Sequence, residues 1–209
     1  MDAAHEASAA QVRARILEGV RDPTWFRDRV RAIPYTERDA WVDRVLGTGA
    51  IPDDDPALPR GCVPYLPCAV EDLVAVAEHV RASDVFVDVG AGIGRAAAFV
   101  HLYSGATVIG VEIQPQLARA ATNMHPACIT MLEGDACELV ARLTQATVFF
   151  LYCPFSGARL ARLLDAIEPI ARAKPLRIAC VDLPLPPRDW LALESSPRVG
   201  VDLHRTRGS

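Results

Sequence analysis

The sequence predicts an α/β domain: a mostly parallel, doubly wound sheet with a terminal antiparallel strand pair and a small helical appendage at its N-terminus. Three observations carry this. From Cys68 onward helical and strand patterns alternate, and the strands are apolar on both faces, as in a parallel sheet covered on each side by helices. Val85 to Glu112 forms one complete strand–loop–helix–strand unit of the type that holds a nucleotide-like ligand. Before residue 60 no strand pattern is visible, so residues 1–60 read as the appendage and 61–209 as the ligand-binding domain.

In chain order, Ala9 to Val20 reads as a helix with Val12, Ile16, Leu17 and Val20 on one face. Asp22-Pro23 opens a second helix through Trp25, Phe26 and Val30. Thr36-x-x-Asp39 has the form of a capping box before Trp41, Val42, Val45 and Leu46, and Gly47 closes that helix. Residues 49–67 are rich in Pro, Gly and Asp and read as an extended loop. The alternation then runs through a helix at Ala69–Arg81, a strand at Asp84–Val89 and a helix at Gly94–Tyr103. A strand follows at Thr107–Val111 and a helix at Pro115–Met124, with proline in the first turn. Next come a strand at Cys128–Leu132, a helix at Ala136–Leu143, a strand at Thr147–Tyr152, a helix at Ser156–Ala173 and a strand at Leu176–Val181. Beyond Asp182 the prolines of LPLPP leave little room for a long helix, and Trp190–Leu193 with Val199–His204 suits an antiparallel hairpin. The N-terminal helices suit three roles equally: covering the mouth of a site, a homodimer contact, or a structural wrap.

Composition narrows the class. A chain of 209 residues with 51% hydrophobic content can bury a sizeable core. Its net charge of −4 gives no global basic field for nucleic acid, and Lys174 is its only lysine. The first ten residues lack the apolar core of a secretory signal, and no apolar run approaches membrane-spanning length, so a cytoplasmic protein is expected. The six cysteines contain no C-x-x-C spacing and read as free thiols, and the five histidines form no H-x-x-x-H pair. No metal site is expected.

The glycine spacing selects the ligand. A dinucleotide loop has the pattern G-x-G-x-x-G, which seats a pyrophosphate on a helix N-terminus. Here the run is Gly90, Gly92 and Gly94, and Arg95 stands where the third glycine of that pattern would be. Asp88, on the strand just before the loop, suits a cationic ammonium group and suits a pyrophosphate poorly. Glu112, at the tip of the next strand, can accept from both hydroxyls of a ribose. A ligand with an amino-acid head and a nucleoside tail satisfies both acids, and S-adenosyl-L-methionine is such a ligand.

With those residues in view, residues 84–182 resemble the class I S-adenosylmethionine-dependent methyltransferases, a Rossmann-like fold. DVGAGIG is similar to the family's acid-x-Gly-x-Gly-x-Gly motif, and VIGVE to its acid-ended second strand. EGDA (133–136) is similar to the adenine segment, and LYCPF (151–155) to the motif after the fourth strand. The style is closest to bacterial members distantly like the Dot1-type lysine methyltransferases. The resemblance implies that Asp88, Gly90, Ala91, Gly92 and Gly94 hold the methionine end and that Glu112 holds the ribose. It also implies that Ile113 packs on the adenine, that Asp135 and Ala136 meet its edge, and that Tyr152 lies beside the methyl. Structural alternatives stand beside these roles. Asp88 and Asp135 are each placed to cap a following helix, Glu112 suits an ordinary strand end, and Arg95 suits either a solvated first turn or a substrate carboxylate.

On the acceptor side the candidates are Tyr152, Cys153, Pro154, Phe155 and Tyr65. Tyr65 could meet the cofactor's carboxylate, line the transfer channel, or anchor its proline-rich loop. Family members often have asparagine where this chain has Cys153, and its side-chain carbonyl accepts from an amine; cysteine is a poor acceptor there. The expected partner is a methyl acceptor, either a protein amine or a small metabolite, with nucleic acid disfavoured. A non-catalytic S-adenosylmethionine-binding module and a nicotinamide-dependent oxidoreductase are the competing readings.

Overall fold

The computed structural model describes residues 1–124 and 129–207. Three helices come first: α1 (Ala3–Leu17), α2 (Pro23–Ala32) and α3 (Arg38–Leu46). The alternating region supplies α4 (Val70–Ala77), β1 (Val85–Val89), α5 (Arg95–Ser104), β2 (Thr107–Glu112), α6 (Pro115–Met124) and β3 (Thr130–Glu133). It continues with α7 (Ala136–Leu139), β4 (Val148–Tyr152), α8 (Gly157–Ala173) and β5 (Arg177–Val181), and ends in the hairpin β6 (Leu191–Arg198) and β7 (Val201–Thr206). The seven strands form one sheet in the order β3-β2-β1-β4-β5-β7-β6. Strands β1 to β5 pair in parallel, and β7 runs antiparallel between β5 and β6.

Alternation along the central strands divides the core in two. Phe86, Val108, Val148 and Phe150 face a layer made by α1 to α5. Val87, Val89, Phe149 and Leu151 face α7 and α8. The N-terminal helices therefore belong to one covering layer of the sheet. Phe26 of α2 meets Phe99 of α5 edge to face at 5.9 Å and Trp41 of α3 at 6.3 Å, and all three are buried. Of the roles open to these helices, this packing supports the wrap.

Several boundaries differ from those expected. Helix α1 starts six residues earlier than Ala9, because Asp2 caps it by accepting from His5 N at 2.8 Å. The Ala-rich first turns have high helix propensity but no apolar period to reveal them. The expected capping box does not form: Tyr35–Glu37 is a 3-10 turn, and Glu37 makes no side-chain cap. Asp39 instead accepts from Val70 N, at the start of α4, at 3.1 Å. Helix α4 ends at Ala77 rather than Arg81, and α7 gives way to a 3-10 turn at Val140–Arg142. Strand β6 extends to Arg198 with shifts in register at Leu193/Ser195 and Ser195/Arg198, and such irregularity erases the alternating pattern; Pro197 is tolerated because β6 is an edge strand. The expected start of β3 at Cys128 lies outside the described residues. No helix among the described residues is long and apolar enough to cross a membrane.

Candidate functional site

Strand order reverses direction between β1 and β4, and a crevice opens beyond the carboxyl ends of the strands at that point. A cavity of about 220 Å³ occupies it. Its floor includes Gly90 after β1, Glu112, Ile113 and Gln114 after β2, Gly134 and Ala136 around α7, and Tyr152 to Phe155 after β4. Leu58 and residues 62–66 roof it. A smaller recess beside it is lined by Asp88, Gly90, Ala91, Tyr65, Arg95 and Tyr152.

The two acids that selected the ligand are both buried, Asp88 at 3% and Glu112 at 5% exposure. Helix α5 starts after Gly94, which has no side chain to cap it, so Asp88 reaches across from β1 and accepts from Ala97 N at 3.1 Å. Glu112 accepts from Gly92 N and Gln114 N, both at 2.8 Å. A carboxylate offers about four lone-pair sites, so both acids retain acceptor capacity. Burial raises both pKa values; for Asp88 it outweighs the Ala97 hydrogen bond, with Glu112 nearby raising it further, to about 7.

Gly92 and Tyr65 are matched. Gly92 has φ +55°, and a Cβ there would overlap the Tyr65 ring, so only glycine lets that ring lie on the loop. The Tyr65 hydroxyl is buried without a partner among the described residues, and burial raises its pKa. The loop bearing Tyr65 is latched down by Gln114. Gln114 Nε2 donates to Asp54 at 2.7 Å, Asp55 N donates to Gln114 Oε1 at 2.6 Å, and Asp54 in turn accepts from Tyr65 N at 2.9 Å. Nothing in the sequence signals this latch, since its partners lie some sixty residues apart.

Arg95 takes neither of the roles open to it. It is 3% exposed and ties three segments together, donating to Asp43 at 2.6 Å, Asp39 at 2.9 Å and the Cys68 carbonyl at 2.5 Å. The rigidity of the loop–helix junction thus depends on α3.

Asp135 caps α7 by accepting from Cys137 N at 2.9 Å, and its other oxygen pairs with Arg159 at 2.6 Å. Arg159 also lies 5.4 Å over the Phe155 ring, and its Nε is buried without a partner among the described residues. Sequence reasoning missed it. An arginine in the first turn of α8 opposes the helix dipole, and that mismatch was the available signal.

At the acceptor end, the Pro154 carbonyl is already taken by Val63 N at 3.1 Å, and Cys62 bridges to Phe155. Among the described residues, Cys153 (φ +42°) and Asp182 (φ +50°) are the non-glycine residues with positive φ. They sit side by side at the tips of β4 and β5. The Cys153 thiol, its pKa raised by burial, donates to the carbonyls of Asp182 at 3.1 Å and Val181 at 3.4 Å. Left-handed backbone favours asparagine over cysteine. Cys153→Asn is therefore expected to stabilise the fold by about 1 kcal/mol, raising the melting temperature roughly 2–4 °C. An unchanged or lower midpoint in a thermal melt would mean that the thiol's hydrogen bonds outweigh the strain.

Asp182 was also missed. It follows an apolar strand directly, the same placement that singled out Glu112. The other described cysteines, at 62, 68, 137 and 180, are free thiols as expected.

No family model and no curated protein sequence matches the chain. Solved structures do. An RNA methyltransferase from Salinibacter ruber in complex with S-adenosyl-L-homocysteine is 25% identical, with TM-score 0.52, covering 69% of this chain and 92% of its own. The Escherichia coli protein yhhF is 16% identical with TM-score 0.57, covering 70% and 91%. The B. subtilis tRNA methyltransferase TrmK is 18% identical with TM-score 0.50, covering 66% of each chain. The chain has the class I methyltransferase fold.

Proposed function

We propose that this protein binds S-adenosyl-L-methionine and transfers its methyl group to an acceptor. The observation that carries the reading is the pair of buried carboxylates, Asp88 and Glu112, flanking a glycine loop at the point where strand order reverses. Burying two carboxylates in one site is unfavourable without a compensating partner, and a ligand with a cationic head and a diol supplies one for each. The likeness to a methyltransferase holding S-adenosyl-L-homocysteine supports the same ligand.

The residues fit the group. Gly90 and Ala91 line the recess beside Asp88 where the methionine end would sit, and the unpartnered Tyr65 hydroxyl is a donor close to it; Gly92, whose open side the Tyr65 ring covers, and Gly94 line neither this recess nor the main cavity. Glu112 holds the ribose with its remaining lone pairs, and Ile113 and Ala136 line the wall for the base. Asp135 is not itself in the cavity lining but stands between Gly134 and Ala136 of its wall, and we assign it the adenine amine through the lone pairs left after the α7 cap and the Arg159 pair. When bound, the sulfonium supplies an activated methyl, and the work left to the protein is orienting the acceptor and excluding water.

Glu112→Ala is expected to weaken S-adenosylmethionine binding by about 1.5–3 kcal/mol, through lost charge-assisted hydrogen bonds to the ribose. That is roughly a 10- to 150-fold rise in Kd by isothermal titration calorimetry. A Kd within twofold of the parent would sink the ribose assignment. Production of S-adenosylhomocysteine with any acceptor distinguishes the enzyme from a non-catalytic binding module, and tight binding of NAD in its place would overturn the reading.

A further inference from the structure

We infer that the acceptor is a small apolar amine and that Asp182 is the group that selects and orients it; the inference rests on the methyltransferase reading above. A second cavity, of about 590 Å³, adjoins the first and shares the wall formed by Val63, Cys153, Phe155 and Asp182. Its remaining lining is apolar but for Ser156, and is led by Leu160, Leu183 and Leu185. Its volume falls in the range of sites for small organic molecules. Asp182 is the one formally charged residue in that lining. A carboxylate at the mouth of an apolar pocket complements a cation carried on an apolar body.

The other polar groups of that wall are uncharged. Cys153 directs its thiol at two carbonyls, and the Pro154 carbonyl accepts from Val63 N. Asp182 adds a solvent-exposed carboxylate on the wall that both cavities share. Its placement is built in. The backbone is held in the left-handed region at φ +50°, Asp182 N donates to the Gly200 carbonyl at 2.8 Å, and Gly200 leaves room for the carboxylate. A Cβ on Gly200, itself at φ +84°, would come within 2.5 Å of Asp182 Oδ1. Two strained residues side by side at strand tips, both facing the cavities, are the kind of local strain that function maintains.

In the reaction, the amine first releases a proton to solvent. Its nitrogen lone pair then forms the new N–C bond as the S–CH₃ bond breaks. The bonding pair remains on sulfur, giving a neutral thioether, and positive charge passes to nitrogen beside the Asp182 carboxylate. The methylated product leaves as its ammonium ion, so the one proton released overall is the one given up before transfer.

The test uses the full chain saturated with S-adenosylhomocysteine, titrated calorimetrically with n-octylamine, 1-octanol and octanoate. Octylamine is expected to bind at least tenfold more tightly than either of the others. Asp182→Asn, which keeps a residue suited to left-handed backbone, should erase that preference while leaving S-adenosylhomocysteine affinity within twofold. Asp182→Gly serves in its place if the amide variant does not fold. Mass spectrometry should show N-methyloctylamine when S-adenosylmethionine is supplied. Equal binding of the three probes, a preference for octanoate, a preference that survives in Asp182→Asn, or methylation of bulk tRNA or poly-L-lysine in place of octylamine would each overturn the inference and leave the methyltransferase reading standing. Failure of the parent protein to bind S-adenosylhomocysteine would overturn both.

Discussion

Arg95→Met is expected to lower stability by about 2–4 kcal/mol, a fall in melting temperature of roughly 5–12 °C for a chain of this size. The guanidinium is 3% exposed and serves three acceptors that no other residue reaches together. Asp39 and Asp43 are about half exposed, at 53% and 43% of their side chains, so they rehydrate when the arginine is removed and contribute little to the loss. The larger part comes from the Cys68 carbonyl, which loses its partner in the interior, and from α3, which loses its tie to α5. Methionine preserves most of the apolar stem, so the measurement isolates the polar head. Arg95→Lys should be nearly as damaging, because one ammonium cannot reproduce the planar fork that spans Asp39, Asp43 and Cys68. Hydrogen exchange should show α3 and the start of α4 opening before the sheet. A melting temperature within 1 °C of the parent would mean that water replaces the guanidinium and that the junction is not held from α3.

This residue also marks the limit of what the sequence discloses. The sheet was legible because its evidence is local: Val85–Val89 and Val148–Tyr152 are dense apolar runs, and each is followed by a helical period with a clear start. The glycine loop and its acids were legible for the same reason, all lying within 25 residues of one another. The partners of Arg95, Gln114 and Pro154 were not, because each of these contacts joins residues 27 or more positions apart, and those of Gln114 and Pro154 run to a loop with no periodicity. Pattern reading locates elements by their repeating face, and a proline-rich strap has none. The N-terminal helices show an intermediate case. Their apolar faces were visible, but only the packing of Phe26 and Trp41 around Phe99 shows which surface they cover.

Asp88→Asn is expected to stabilise the free protein at pH 8 and at the same time to remove most of its affinity for S-adenosylmethionine. The Asp88 carboxyl has its pKa raised from 3.8 to about 7, chiefly by burial. Between those values the native state holds a proton that the unfolded chain has released, so stability falls as pH rises from about 4 to about 7 and stays low above it. At 1.36 kcal/mol per unit, the ionised group costs on the order of 4 kcal/mol at pH 8. Asparagine carries no charge, and its carbonyl can still accept from Ala97 N, so the variant escapes much of that cost. Thermal melts should therefore show the variant and parent alike near pH 4, the variant already ahead by about 1.5 kcal/mol at pH 5, and ahead by up to about 4 kcal/mol at pH 8. Ligand binding should move the opposite way. An ammonium group favours the ionised carboxylate, so parent affinity should rise between pH 6 and 7.5, below the range where an α-amino group itself loses charge. The variant should bind weakly, with no rise over the same interval. Such opposition is the signature of a group kept at the expense of the apo fold because the bound state needs its charge. If Asp88→Asn leaves stability unchanged at pH 8 and binds the ligand as the parent does, Asp88 serves only to cap α5, and the methionine end of the ligand is held elsewhere.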